Sequence, residues 1–181
     1  MIQKTLATFL LCGSVCAQTQ NFTGTAFALD SERELYREQH QLTLDNGQPV
    51  SEQVRYLDPD GQLLAEKNMR YQEPARPAYE LVLPGLDRTE SVAPDSEGVT
   101  VVSRKEGRLD WPDQSAVIDA GFHYFILDHF DALERGQSLD IQFLTPSRLS
   151  WIALSIEPET PQDDQLVLQL RPQNQVLRWL I

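Results

Sequence analysis

The feature that most constrains the fold is an alternation of apolar and polar residues from Glu34 to Tyr71, interrupted by tight-turn sequences. The turn sequences are DNG at 45–47 and DPDG at 58–61. Alternation places every second side chain on one face of a strand, and Asn-Gly supplies the positive φ angles of a two-residue hairpin. In the second turn, proline presets φ and glycine accepts the left-handed conformation. This part of the chain therefore predicts an antiparallel meander.

Shorter apolar runs predict further strands along the rest of the chain. They are rich in β-branched residues or alternate with polar ones, and prolines and glycines separate them. A sheet of roughly eight to ten short strands is expected in total. The predicted segments are Tyr79–Leu83, Val99–Val102, Leu139–Phe143, Trp151–Leu154 and Gln165–Leu170.

The stretch Val117–Arg135 has the periodicity of a helix instead. At 100° per residue, one broad face of this helix carries Phe122, Phe125 and Ile126. A helix with one apolar face must bury that face against another element. We therefore expect an α+β domain in which a strongly curved antiparallel sheet, a half-barrel, wraps around this one long helix.

The first residues have the pattern of a secretory signal. Lys4 gives a positive start, an apolar run follows at 6–15, and the residues up to Ala17 fit the small-residue cleavage rule. We predict cleavage after Ala17, export to the periplasm and a single globular domain over 18–181. The apolar run is about half as long as a spanning helix, so no stable membrane span is expected after cleavage. A lipoprotein signal is the alternative, although neither cysteine follows a small residue.

Charge and cysteine content exclude several classes of function. Both cysteines lie within residues 1–17, so the predicted mature domain has no disulfide, thiol nucleophile or zinc–thiolate site. The formal net charge of −12 argues against nucleic acid as a partner, because phosphate binding needs concentrated positive charge. It also opposes docking on an anionic membrane face. The favoured interpretation of the acidic charge is solubility.

Five side chains are candidates for the lining of an apolar ligand pocket: Phe122, Phe125, Ile126, His129 and Trp151. Aromatic residues on a helix face are more often ordinary core. His129, in the middle of the apolar face, is also more often a hydrogen-bonded core residue than a ligand-binding group. We expect no cofactor, no metal site and no catalytic residues, because no recognised motif for any of them is present.

Asp119 and His123 form the one candidate catalytic pair. Residues four apart on a helix face the same way, so the carboxylate could orient a histidine general base. The same spacing is typical of a solvated pair, and no nucleophile motif accompanies it. A hydrolase that uses this pair is therefore the least favoured of three functional hypotheses.

Three sequences in the segment from about Tyr56 to Trp151 carry a resemblance: YLDPDGQLLAEKNMRY, VIDAGFHYFILDHFDAL and FLTPSRL. They resemble a group of uncharacterised exported proteins of Gram-negative bacteria. The order of elements is similar to that of periplasmic lipoprotein-carrier half-barrels, in which a sheet wraps a helix and can leave an apolar cavity. The first resemblance implies no activity, and the second is an analogy of fold.

Two hypotheses of different classes follow. The first is a non-catalytic periplasmic binding or carrier module for an apolar or lipid-like small molecule. The second is a structural or assembly protein with a filled core, which would contact protein partners through the apolar C-terminal residues Trp179, Leu180 and Ile181.

Overall fold

A computed structural model describes residues 17–28, 31–159 and 166–173 of the chain. Two predictions fall outside these residues. The predicted signal sequence is outside them except for Ala17, and so are the candidate partner-binding residues Trp179, Leu180 and Ile181. Within the described parts, no helix is long and apolar enough to cross a membrane.

The described residues form twelve strands and two short α-helices. The strands are β1 Gln18–Phe27, β2 Glu34–Asp45, β3 Gln48–Leu57, β4 Leu63–Arg70, β5 Ala78–Leu83, β6 Arg88–Pro94, β7 Gly98–Val102, β8 Glu106–Asp110, β9 Ala116–Val117, β10 Leu139–Thr145, β11 Ser150–Pro158 and β12 Leu168–Pro172. The helices are α1 Gly121–Asp128 and α2 Phe130–Glu134.

Strands β1 to β8 form one antiparallel sheet in which each strand pairs with its neighbour in the sequence. The predicted meander is confirmed, together with its turns. Asn46 and Gly47 have φ angles of 50° and 80°, as a two-residue hairpin requires. In the next turn Gly61 has a φ of 84°, and its N–H donates to the Asp58 carbonyl oxygen at 2.9 Å.

The second sheet has four strands in the order β12-β11-β10-β9. Strands β10 and β11 contain the predicted segments Leu139–Phe143 and Trp151–Leu154 and form an antiparallel pair. Strand β9 pairs with β10 in parallel. A parallel pair needs a crossover connection, and α1 and α2 supply it.

The prediction of one long helix over Val117–Arg135 is wrong. Its first residue, Val117, belongs to β9, and Asp119 has a φ of 45°, which is incompatible with a helical turn. The helix is interrupted again at His129, where φ is −114°. There the ring Nδ1 lies 2.9 Å from the Phe125 carbonyl oxygen, while the backbone N–H donates to Ile126 instead. The histidine side chain thus occupies the acceptor that a continuous helix would use.

The predicted half-barrel is also wrong, because neither sheet is strongly curved or closed. Among the described strands, β1 and β8 are the two edges of the large sheet. Alternation specifies that a sheet has an apolar face, but it does not specify what covers that face. Here the helices and the second sheet cover part of that face. The structure confirms the coarser expectation of a mostly antiparallel α+β protein.

Two clusters of buried side chains form the core, and α1 contributes to both. Ala120 and Tyr124 pack against the first cluster, which lies on the large sheet and includes Val54, Met69, Val92, Val99, Val101 and Ile118. Phe125 belongs to the second cluster, with Val117, Leu133, Ile141 and Ile156 from the small sheet and α2. Helix α1 therefore connects the two sheets through packing.

A close backbone contact fixes the start of α1 against the loop before β5. The N–H of Ile118 donates to the Ala75 carbonyl oxygen at 3.0 Å. A Cβ atom on Gly121 would lie 2.2 Å from that same oxygen. Because this oxygen is a backbone atom and cannot rotate away, a side chain at Gly121 would force the helix away from the loop.

Gly121→Ala is therefore expected to destabilise the protein, although alanine is the better helix former. We expect a loss of about 1–3 kcal/mol in the free energy of unfolding, the usual cost of overpacking. Gly85→Ala is the matched control, since nothing lies within 4 Å of a Cβ atom there. Urea unfolding of the two variants measures both effects, and equal stability would show that the contact at Ala75 is not tight.

Candidate functional site

A cavity of about 800 Å³ lies between the inner face of the large sheet, the start of α1 and the small sheet. Most of its wall is apolar. The apolar lining comes from both sheets and from α1, and includes Leu42, Val54, Met69, Phe122, Phe143 and Leu154.

The strand register explains which side chains reach the cavity. Phe22, His40, Val54 and Lys67 are cross-strand partners in one row over β1 to β4. Positions two residues away on a strand share the same face. The inner face of β2 therefore presents Glu38 and His40 as well as leucines.

The cavity has an exposed apolar rim. Phe22 is 49% exposed, Leu127 is 64% exposed and Leu170 is 47% exposed, and all three line the cavity. They come from three separate elements, β1, α1 and β12. Large apolar side chains grouped around an opening are typical of a site that receives an apolar partner.

A buried carboxylate organises one part of the wall. Glu52 is 7% exposed and accepts a hydrogen bond from the Tyr71 hydroxyl at 2.7 Å. Its other oxygen lies 2.7 Å from Nδ1 of His40, and Nε2 of His40 lies 3.1 Å from Oε2 of Glu38. The ring of Phe22 stacks on His40 with 4.3 Å between centroids. Each polar atom of this group that is buried thus has a partner, as burial demands.

Tyr71 acts as a hydrogen-bond donor in this group. Its burial raises the pKa of the phenol well above the usual value, and the nearby charge of Glu52 and the hydrogen bond to it act in the same direction. The hydroxyl proton therefore stays in place over the physiological range and holds Glu52 in its orientation.

An ion pair between Lys67 and Asp119 crosses from the large sheet to the segment before α1. The Lys67 ammonium lies 2.9 Å and 2.8 Å from the two carboxylate oxygens of Asp119. Lys67 also lies over the rings of Tyr56 and Tyr79, at 5.8 Å and 5.5 Å from their centroids. Burial alone would lower the pKa of Lys67, but the Asp119 carboxylate and Tyr56 outweigh it, so the pKa is raised.

Asp119 holds an unusual backbone conformation at this site. Its φ of 45° is left-handed, which costs free energy for a residue other than glycine, although aspartate and asparagine tolerate it best. One carboxylate oxygen also accepts the N–H of Ala120 at 2.7 Å. The hydrogen bonds of the carboxylate to Lys67 and to Ala120 thus hold Asp119 in this conformation.

The five predicted pocket residues occupy three different places. Phe122 lines the cavity. Phe125 lies in the second core cluster and Ile126 packs against it, and His129 stacks on Phe125 with 4.3 Å between ring centroids. Trp151 lies at the margin of the first cluster, where its indole N–H donates to the Asp110 carbonyl oxygen at 3.1 Å.

The candidate catalytic pair is not brought together. The Asp119 carboxylate binds Lys67 and the Ala120 N–H, whereas His123 places Nδ1 3.3 Å from the Ala120 carbonyl oxygen. Both residues line the cavity, but no hydrogen bond joins their side chains in the described structure. Among the described residues, no three or more histidine, cysteine, aspartate or glutamate side chains are arranged so that they could hold a metal ion.

The polar residues of the cavity were not identified as a site from the sequence, although a signal for three of them is present. Glu38 and His40 alternate with the buried Leu42 on β2, and Glu52 stands two residues before the buried Val54 on β3. A charged residue at the parity of the core is unusual. The partner of Lys67 could not be found in this way, because Asp119 is 52 residues away in the chain.

Asp119→Asn tests the ion pair. Asparagine tolerates the same backbone conformation, so the substitution removes the charge and leaves Lys67, which is 12% exposed, without its carboxylate. We expect a loss of about 2 kcal/mol in the free energy of unfolding, between the values for surface and for buried pairs. The exposed Asp113→Asn is the control.

The difference in stability between wild type and Asp119→Asn should change with pH in a defined direction. The pKa of Lys67 is raised above its ordinary 10.5 in the folded protein. The ion pair therefore contributes its full stabilisation below pH 10.5, and this stabilisation is lost as the lysine deprotonates at higher pH. The stability difference between wild type and Asp119→Asn should therefore be constant near neutral pH and shrink above about pH 10. A difference that grows with pH would contradict the assignment.

Comparison with protein-family models, with curated proteins and with solved structures finds no match to this chain. The resemblance to exported proteins of Gram-negative bacteria therefore stays a prediction, and the functional argument rests on the geometry of the cavity.

Proposed function

We propose that this protein is an exported, periplasmic binding or carrier module that takes an apolar or lipid-like small molecule into the cavity between its two sheets. The observation that carries this proposal is the cavity of about 800 Å³ with its mostly apolar wall. Sites for small molecules usually measure about 300–1,000 Å³ and combine apolar walls with a few polar groups. The Glu38, His40 and Glu52 side chains supply such groups here.

The exposed rim supports transfer rather than permanent burial of the ligand. Phe22, Leu127 and Leu170 keep apolar surface in water, which is unfavourable unless a partner covers it for part of the time. An apolar ligand that enters past these side chains would bury both its own surface and theirs. The gain in hydrophobic free energy is proportional to the apolar area removed from water.

Leu127→Gln tests the proposal with little effect on folding, because Leu127 is 64% exposed. We expect it to weaken binding of the neutral fluorescent probe N-phenyl-1-naphthylamine about threefold to tenfold, the effect of losing part of one leucine contact. Leu86→Gln is the matched control, since Leu86 is 68% exposed and lies outside the cavity.

Fluorescence titration of wild type and both variants gives the dissociation constants. Unchanged affinity for Leu86→Gln together with weaker binding by Leu127→Gln supports the cavity as the binding site. Absence of saturable binding by the wild type would refute the carrier proposal.

A further inference from the structure

The cavity is lined by more acidic than basic side chains. Three of them are carboxylates, Glu38, Glu52 and Asp119, and Lys67 is the one lysine or arginine in the described lining. In a mostly apolar space, such an imbalance acts on the charge of any ligand more strongly than it would in water.

The positive charge of Lys67 is already compensated within the protein. Its ammonium group contacts both oxygens of Asp119 and is 12% exposed. An anionic ligand would have to compete with this carboxylate at close range. The Lys67–Asp119 pair therefore adds no net charge to the cavity.

The group formed by Glu38, His40 and Glu52 contains two acidic side chains and one histidine. His40 lies between the two carboxylates, at 3.1 Å from Glu38 and 2.7 Å from Glu52. One imidazolium can compensate one carboxylate, which leaves the other. Both oxygens of Glu52 already have partners, whereas only Oε2 of Glu38 faces His40, so Glu38 is better placed than Glu52 to bind a further group.

Glu38 is accessible from the cavity. Its side chain is 29% exposed, and in the described structure Oε1 has no recorded hydrogen bond, whereas Oε2 faces His40. Gly24 lies opposite Glu38 on β1, and a Cβ atom there would lie 3.6 Å from Oε2.

We infer that the ligand is an amphiphile with a positively charged head group, which Glu38 binds at the cavity wall, and an apolar tail, which occupies the space between Val54, Met69 and Phe122. This inference rests on the proposed function and names the ligand class. The cationic head completes the charge of the Glu38–His40–Glu52 group, and the tail covers the apolar wall.

The test compares three surfactants that share one alkyl tail, each below its critical micelle concentration. Isothermal titration calorimetry at low ionic strength measures binding of dodecyltrimethylammonium, dodecyl maltoside and dodecyl sulfate to the full chain. We expect one-to-one binding of dodecyltrimethylammonium about tenfold or more tighter than that of dodecyl sulfate, as one uncompensated charge at short range can provide.

The control must separate the cavity from the overall acidity of the protein. Glu38→Gln and Glu80→Gln change the net charge equally, but Glu80 is exposed and lies on the opposite face of the same sheet, since it follows the core residue Tyr79. We expect Glu38→Gln to bring the ratio of the two affinities toward unity and Glu80→Gln to leave it unchanged.

Each outcome decides a different claim. Equal binding of all three surfactants, or equal effects of the two variants, overturns the inference and leaves the apolar carrier intact. Tighter binding of dodecyl sulfate also overturns the inference. If none of the three binds, the proposed function fails together with it.

Discussion

The ion pair between Lys67 and Asp119 is the interaction on which the site depends. It joins the inner face of the large sheet to the segment that leads into α1, next to the contact between Ile118 and Ala75. These contacts set where α1 begins and so define one wall of the cavity. A pair of this kind adds modest stability, because desolvation offsets much of the attraction. Its consequence here is positional: the left-handed Asp119 directs the chain from β9 into the helix.

Local sequence signals predicted the strands and turns better than they predicted the helices and the curvature of the sheets. The turns at Asn46–Gly47 and at Gly61 require particular φ angles, and such requirements are visible in the residues themselves. The single long helix was wrong because two local effects, the left-handed Asp119 and the side-chain hydrogen bond of His129, override a favourable periodicity. The half-barrel was wrong because curvature depends on what packs against a sheet, which alternation does not encode. The edge strands β1 and β8 were also missed, since their exposed residues give little apolar contrast.

Sequence reasoning placed one of its five proposed lining residues on the cavity and did not identify the polar part of the wall as a site. Of the five proposed lining residues, Phe122 lies on the cavity, whereas Phe125 and Ile126 belong to the core beside it. The polar wall depends on the register that aligns His40 with Val54 and Lys67 across three strands. Register follows from turn geometry and burial together, so these cross-strand neighbours become visible once the strands are paired. The sequence signal for the polar wall was the alternation of Glu38, His40 and Glu52 with buried residues on β2 and β3.

In the proposed complex, an alkyl chain occupies the space between the large sheet and α1, with its head group at Glu38. A crystal structure of the protein soaked with a dodecylammonium that carries a terminal bromine would test it directly, because anomalous scattering locates the bromine atom. We expect one bromine site inside the cavity, near Val54, Met69 and Phe122, with the ammonium group beside Glu38. Bromine at the outer face of the sheet, or within the cavity but with the ammonium group directed away from Glu38, would contradict it.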